Sequence, residues 1–121
     1  MTDATKIAEN YIAVWNERDA AKRGALLAAN WRQDATYTDP LSAVAGAEQI
    51  NDLIGGLQAQ FPTFSFTLTG KPDGYGDRVR FSWALGPGDF VDAPIEGTDF
   101  AQIADGKLAT VTGFLDKVPP M

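Results

Sequence analysis

Phe64-Ser65-Phe66-Thr67-Leu68-Thr69 alternates apolar and hydroxyl residues, the period of about two that a strand shows when one face is buried. Gly70-Lys71-Pro72-Asp73-Gly74 then predicts a turn, and Val79, Phe81, Trp83 and Leu85 form the next alternating set before a second turn at Gly86-Pro87-Gly88. Two more strands are expected near 97–103 and 107–115, joined at Asp105-Gly106. The second half therefore reads as an antiparallel meander. Ahead of it the apolar period is mostly about 3.6. Ile50, Leu53, Ile54, Leu57 and Phe61 share one side of a helix over about 47–60, closed by Pro62. Residues 41–46 read as a loop, and 35–39 as a strand stopped by Pro40. Asp3 or Thr2 caps a first helix to about Arg18, with Ile7, Tyr11, Val14 and Trp15 on its inner face; Asp19 caps a second, which ends near Trp31. The Pro119-Pro120 tail is expected to fray. The order predicts an α+β layer, three helices on one face of a curved antiparallel sheet, in a single domain over 1–121.

The 121 residues contain no cysteine and no histidine. That removes zinc fingers, redox pairs, imidazole bases and Ser-His or Cys-His nucleophiles. A net charge of −6 and a pI near 4.4 repel phosphate backbones and anionic headgroups, so neither nucleic acid nor membrane is an expected partner. The N-terminal residues lack a signal pattern and no run is long enough to span a bilayer, which predicts a cytoplasmic protein. Glycine-rich phosphate loops and nucleophile elbows are missing. Asp73-Gly74-Tyr75-Gly76-Asp77 reads as a hairpin turn, since it lacks the ligand spacing of a calcium loop.

Asp39 is the carboxylate of most interest. Tyr37 shares its strand face, and an acid aimed into an apolar cavity has a raised pKa suited to moving protons. The competing reading gives Asp39 an Asx-type turn after Pro40. Tyr11 is either a core phenol bonded to a backbone carbonyl or a donor to an oxyanion. The aromatics Trp15, Trp31, Phe61, Phe64, Phe66, Phe81, Trp83, Phe100 and Phe114 supply a core, and their density also suits a small apolar pocket. On the fifth strand, Thr98, Phe100 and Gln102 point one way and Asp99, Ala101 and Ile103 the other, so only one of Thr98 and Asp99 faces a cavity.

Tyr11-Ile12-Ala13-Val14-Trp15-Asn16, Asp34-Ala35-Thr36-Tyr37-Thr38-Asp39-Pro40, Gly46-Ala47-Glu48-Gln49-Ile50, Gly97-Thr98-Asp99-Phe100 and the segment from Asp105-Gly106-Lys107-Leu108 to Gly113-Phe114-Leu115-Asp116 together resemble the nuclear transport factor 2-like (NTF2-like) superfamily. Within it they resemble the SnoaL-like polyketide cyclase and ketosteroid isomerase branch. The resemblance spans nearly the whole chain. It implies an α+β barrel-like cone enclosing a pocket, and a homodimer formed through the sheet. It also implies proton transfer on an apolar, carbonyl-bearing small molecule, with Asp39 as base and Tyr11 donating to the oxyanion. The family's protonated aspartic acid matches Thr98, with Asp99 one residue off register, and its supporting tyrosine matches Ile54. Trp31, Ile54 and Phe100 fall where that family lines its cavity; Trp15, Phe61 and Trp83 are expected as further walls. No metal or organic cofactor is required. The alternative is a non-catalytic small-molecule-binding or dimerisation module in which Asp39 only holds the turn.

Overall fold

The computed structural model describes residues 3–88 and 93–119; the expectations for Thr2 and Pro120 lie outside them. Helix α1 spans Ala4–Asn16, opened by the Asp3 carboxylate, which accepts from the Lys6 N–H at 3.0 Å. It buries Ala8, Tyr11, Ile12, Val14 and Trp15. The helix stops short of Arg18 because the Asn16 amide turns to a strand instead: it donates to Phe66 O at 2.9 Å and accepts from Phe66 N–H at 2.7 Å. Asp19 caps α2 (Ala20–Asn30) through the Lys22 N–H. Strand β1 (Trp31–Asp39) follows directly and starts earlier than its β-prone core suggested. Where a loop was expected, Pro40-Leu41 reverses the chain and Ser42–Ala45 form β2, pairing Asp39 with Ser42. Helix α3 is Ala47–Gln60.

The meander comprises β3 (Phe64–Tyr75), β4 (Arg78–Pro87), β5 (Ile95–Ala104) and β6 (Lys107–Lys117). The turn expected at Gly70–Gly74 is instead a register shift between Thr69 and Asp73 that absorbs Pro72, which has no N–H for the ladder; the chain reverses after Tyr75. At Asp105-Gly106 both residues have positive φ, 54° and 76°, as a two-residue hairpin turn requires.

The six strands are ordered β2-β1-β6-β5-β4-β3. The meander brings β6 back in the direction of β1, and those two pair in parallel, so the sheet is mixed where an all-antiparallel one was expected. Its edge strands β2 and β3 do not pair with each other: the sheet is open, not a closed barrel. The three helices pack on this sheet, and one apolar cluster runs from Ala8 to Val111. Arg23, 3% exposed, locks the helices together by donating to Glu17 O, Asn51 Oδ1 and Gln58 Oε1. Gln58 in turn donates to Trp15 O and Glu17 O. No helix among the described residues is long and apolar enough to cross a membrane.

Candidate active site

Tyr11 projects from the buried face of α1 into a nest of rings. Trp31 stacks on it at 5.6 Å, Phe81 meets it edge-on at 4.8 Å, and Trp15 lies 6.0 Å away. The rings fix its hydroxyl direction, and the hydroxyl donates to Asp99 Oδ2 at 2.5 Å. Asp99 stands inward on β5 opposite Phe81 of β4 and Gly113 of β6, and is 1% exposed. Burial pushes its carboxyl up to about 6; the Tyr11 hydroxyl and the neighbouring Trp83 indole oppose the rise, while the negative charges of Asp39 and Asp116 add to it. Burial, then the Asp99 charge, raises the Tyr11 phenol well above its ordinary range, so it remains a donor at any physiological pH.

A second phenol–carboxyl pair lies beside the first. On β1, Tyr37 and Asp39 share a face, and the Tyr37 hydroxyl donates to Asp39 Oδ2 at 2.7 Å. The other oxygen, Asp39 Oδ1, accepts from the Leu41 N–H at 2.8 Å, an Asx turn across Pro40. Burial, followed by the charge on Asp99, raises the Tyr37 phenol. The two pairs meet at Gly113. A Cβ there would lie 2.9 Å from Asp99 Oδ1 and 3.4 Å from both Asp39 Cβ and the Tyr37 hydroxyl, so only glycine leaves the space in which the acidic groups converge.

These groups open onto a cavity of about 680 Å³. Trp15, Leu57, Phe61, Phe66, Trp83 and Leu85 are among its apolar walls; Tyr11, Tyr37, Asp39, Asp99 and Gln60 supply its polar side chains. No lysine or arginine lines it among the described residues, and its walls are largely apolar. An oxygen placed between Tyr11 and a protonated Asp99 would find two donors in a dry setting, with Asp39 on the wall of the same cavity. No group of three or more acidic residues among the described ones is arranged to hold a metal ion. A second hollow, lined by Arg32, Gln33, Asp34, Asp105 and Lys107, has its arginine already paired with both aspartates.

Of the residues singled out in the sequence, the structure brings Tyr11, Trp15, Asp39, Phe61, Trp83 and Asp99 to this cavity. Four others lie elsewhere. Trp31 and Ile54 are fully buried behind it, Trp31 as the backing of Tyr11 and Ile54 in the helix core. Thr98 and Phe100 face outward on β5, Thr98 bonded to Ser82 and Asp116 and Phe100 40% exposed. Of the two residues left open by strand parity, Asp99 is the inward one. Sequence reasoning missed Gly113 and gave Tyr37 no role of its own. A lone glycine within a strand pattern signals close approach, and was the available clue.

The chain matches the model of the SnoaL-like domain over residues 8–111. A provisionally assigned isomerase of the SnoaL-like family from Agrobacterium tumefaciens is 38% identical, with a TM-score of 0.90 over 96% of this chain and 99% of that one. A provisionally assigned ketosteroid isomerase from Kribbella flavida is 21% identical, TM-score 0.71, over 98% and 82%. A provisionally assigned SnoaL-like polyketide cyclase from Jannaschia is 17% identical, TM-score 0.72, over 96% and 90%; these last two likenesses concern the fold. None of the curated proteins matches the chain.

Proposed function

From the chain's place in the SnoaL-like domain family, to which it belongs, we propose that it binds an apolar, carbonyl-bearing small molecule and catalyses proton transfer on it, as an isomerase or cyclase does. The observation that carries this reading is the convergence of two phenol–carboxyl pairs on Gly113 at the polar end of an apolar cavity. Asp39 Oδ2 takes a proton from the carbon next to the ligand carbonyl; the C–H pair moves into the enolate, whose oxygen accepts from Tyr11 and from Asp99 in its neutral form. Returning the proton to a different carbon completes an isomerisation; attack of the enolate carbon on a second carbonyl, whose oxygen then takes the proton from Asp39, completes a cyclisation. Neither needs an oxidant or a cofactor. The same reading takes the chain as one SnoaL-like domain over 1–121. It also takes the protein as a homodimer through the outer sheet face, where Phe100 and Phe114 are exposed.

A β,γ-unsaturated cyclic ketone tests the reaction, since double-bond migration into conjugation changes its absorbance. Asp39→Asn should lower the rate by about 100- to 10,000-fold, the usual worth of a positioned base, while ligand affinity is kept. Wild type and variant turning over equally would remove Asp39 as base. One observation favours a second reading, a non-catalytic binding module: the Leu41 N–H occupies Asp39 Oδ1 as a turn would. On that reading Asp39→Asn lowers stability and neither protein turns the ketone over.

A further inference from the structure

Trp83 and Asp99 are same-face neighbours on adjacent strands: in the β4–β5 ladder Trp83 pairs with Gly97 and Phe81 with Asp99. Both line the cavity. Each carries a buried polar atom with no partner at hydrogen-bond geometry, Trp83 Nε1 and Asp99 Oδ1; the Trp15 and Trp31 indoles are likewise unpartnered, but of the three only Trp83 acts on Asp99. The two are complementary, because an indole N–H only donates and a carboxylate oxygen only accepts. Leaving such atoms unpaired away from water is unfavourable, and more so for a charged acceptor.

Gly97 accounts for where the indole lies. A Cβ at that position would run into the Trp83 ring, 2.8 Å from the Cε2 that bears the indole nitrogen, and come within 2.6 Å of Phe114 O. Glycine therefore lets the ring lie flat along β5 toward Asp99, while Phe66 braces it edge-on at 5.2 Å. We propose that Trp83 is the positioning residue of Asp99: its indole N–H closes on Oδ1 when that carboxyl ionises, so that Tyr11 and Trp83 grip one oxygen each.

Among the described residues, the other groups acting on Asp99 are Tyr37 and Asp39 from β1 and Asp116 from β6, and none of these is a cation. Tyr11 and Trp83 are thus the donors that favour the charged form, against burial that holds the carboxyl at about 6. Trp83 thereby lowers the pH at which Asp99 changes from donor to acceptor. The inference rests on the proposed site only for Asp99's part in it, and its readout needs no turnover.

The test follows the indole N–H signals of the three tryptophans by ¹H–¹⁵N NMR from about pH 4.5 to about pH 8, each signal assigned through its own ring protons. The Trp83 indole proton should move downfield with a midpoint near 6, together with the Asp99 carboxyl carbon, while Trp31 stays still. In Asp99→Asn that movement should vanish. In Trp83→Phe the Asp99 carboxyl midpoint should rise by about one pH unit, a tenfold gain in proton affinity. A flat Trp83 signal while Asp99 titrates overturns the proposal, as does an unmoved carboxyl midpoint in a folded Trp83→Phe. If that variant does not fold, the wild-type and Asp99→Asn spectra decide alone. An indole that titrates in a protein that turns over no ketone keeps the positioning role and removes the proposed reaction.

Discussion

Asp99 is held at a burial cost that its donors only partly offset. Its carboxyl rises from the ordinary 3.8 to about 6 on folding. Between those two values the folded chain keeps a proton that the unfolded chain has released, so stability falls as pH rises across that window. Above it the ionised carboxyl costs about 3 kcal/mol at the linkage rate for such a shift, an order-of-magnitude figure. Asp99→Asn keeps an oxygen acceptor for Tyr11 and removes the charge. Its thermal midpoint should therefore exceed that of wild type at pH 8, with the gap closing toward pH 4; a midpoint equal to or below wild type at pH 8 would contradict the burial account. At this scale the sequence narrows the choice without making it. Strand parity requires that either Thr98 or Asp99 point inward, but register shifts at Glu96/Gly97 and Gln102/Ile103 flank that stretch of β5 and β6, and such offsets are invisible in a list of side chains. The pairing of Tyr37 with Asp39 was within reach, because two residues on one strand face are neighbours whatever the sheet does.

At the level of elements, α3 spans the residues its apolar period predicts, Ala47–Gln60, since a long amphipathic repeat carries its own boundaries. Short β2 was illegible: Ser42-Ala43-Val44-Ala45 has little strand character and exists because β1 offers it an edge. Parallel pairing of β1 with β6 was equally hidden, since contacts across more than 70 residues leave no local mark. The outer faces of β5 and β6 present Phe100 at 40% and Phe114 at 58% exposure. These lie on neighbouring strands, and exposed rings grouped on a sheet suit a partner surface. At micromolar concentration the wild type should sediment at twice 13.0 kDa, and Phe100→Lys combined with Phe114→Lys at 13.0 kDa. A wild-type monomer under the same conditions would argue against the sheet-face dimer.

For the molecule as a whole, the division of labour is between a net charge of −6 and a cavity whose ionisable side chains, among the described residues, are two carboxyls and two phenols. Ring packing around Tyr11, the glycine gap at 113 and the helix clamp at Arg23 hold those groups in place, so the proposed reaction would need little reorganisation as charge develops. The α+β class and the helix-then-meander order were legible because hydrophobic period reports burial directly. The cavity was legible only as a surplus of large rings, since which rings face space and which face each other depends on packing.

In the proposed reaction Asp39 moves a proton to and from carbon while Tyr11 and Asp99 hold the enolate oxygen. Exchange of the α-hydrogens of a bound cyclic ketone with D2O, followed by ¹H NMR, measures that step without requiring the natural product to be known. Exchange should be accelerated over buffer by the wild type and reduced by about 100-fold or more in Asp39→Asn, with the ketone still bound. Exchange at the buffer rate with saturating wild-type protein, or equal acceleration by both proteins, would contradict it.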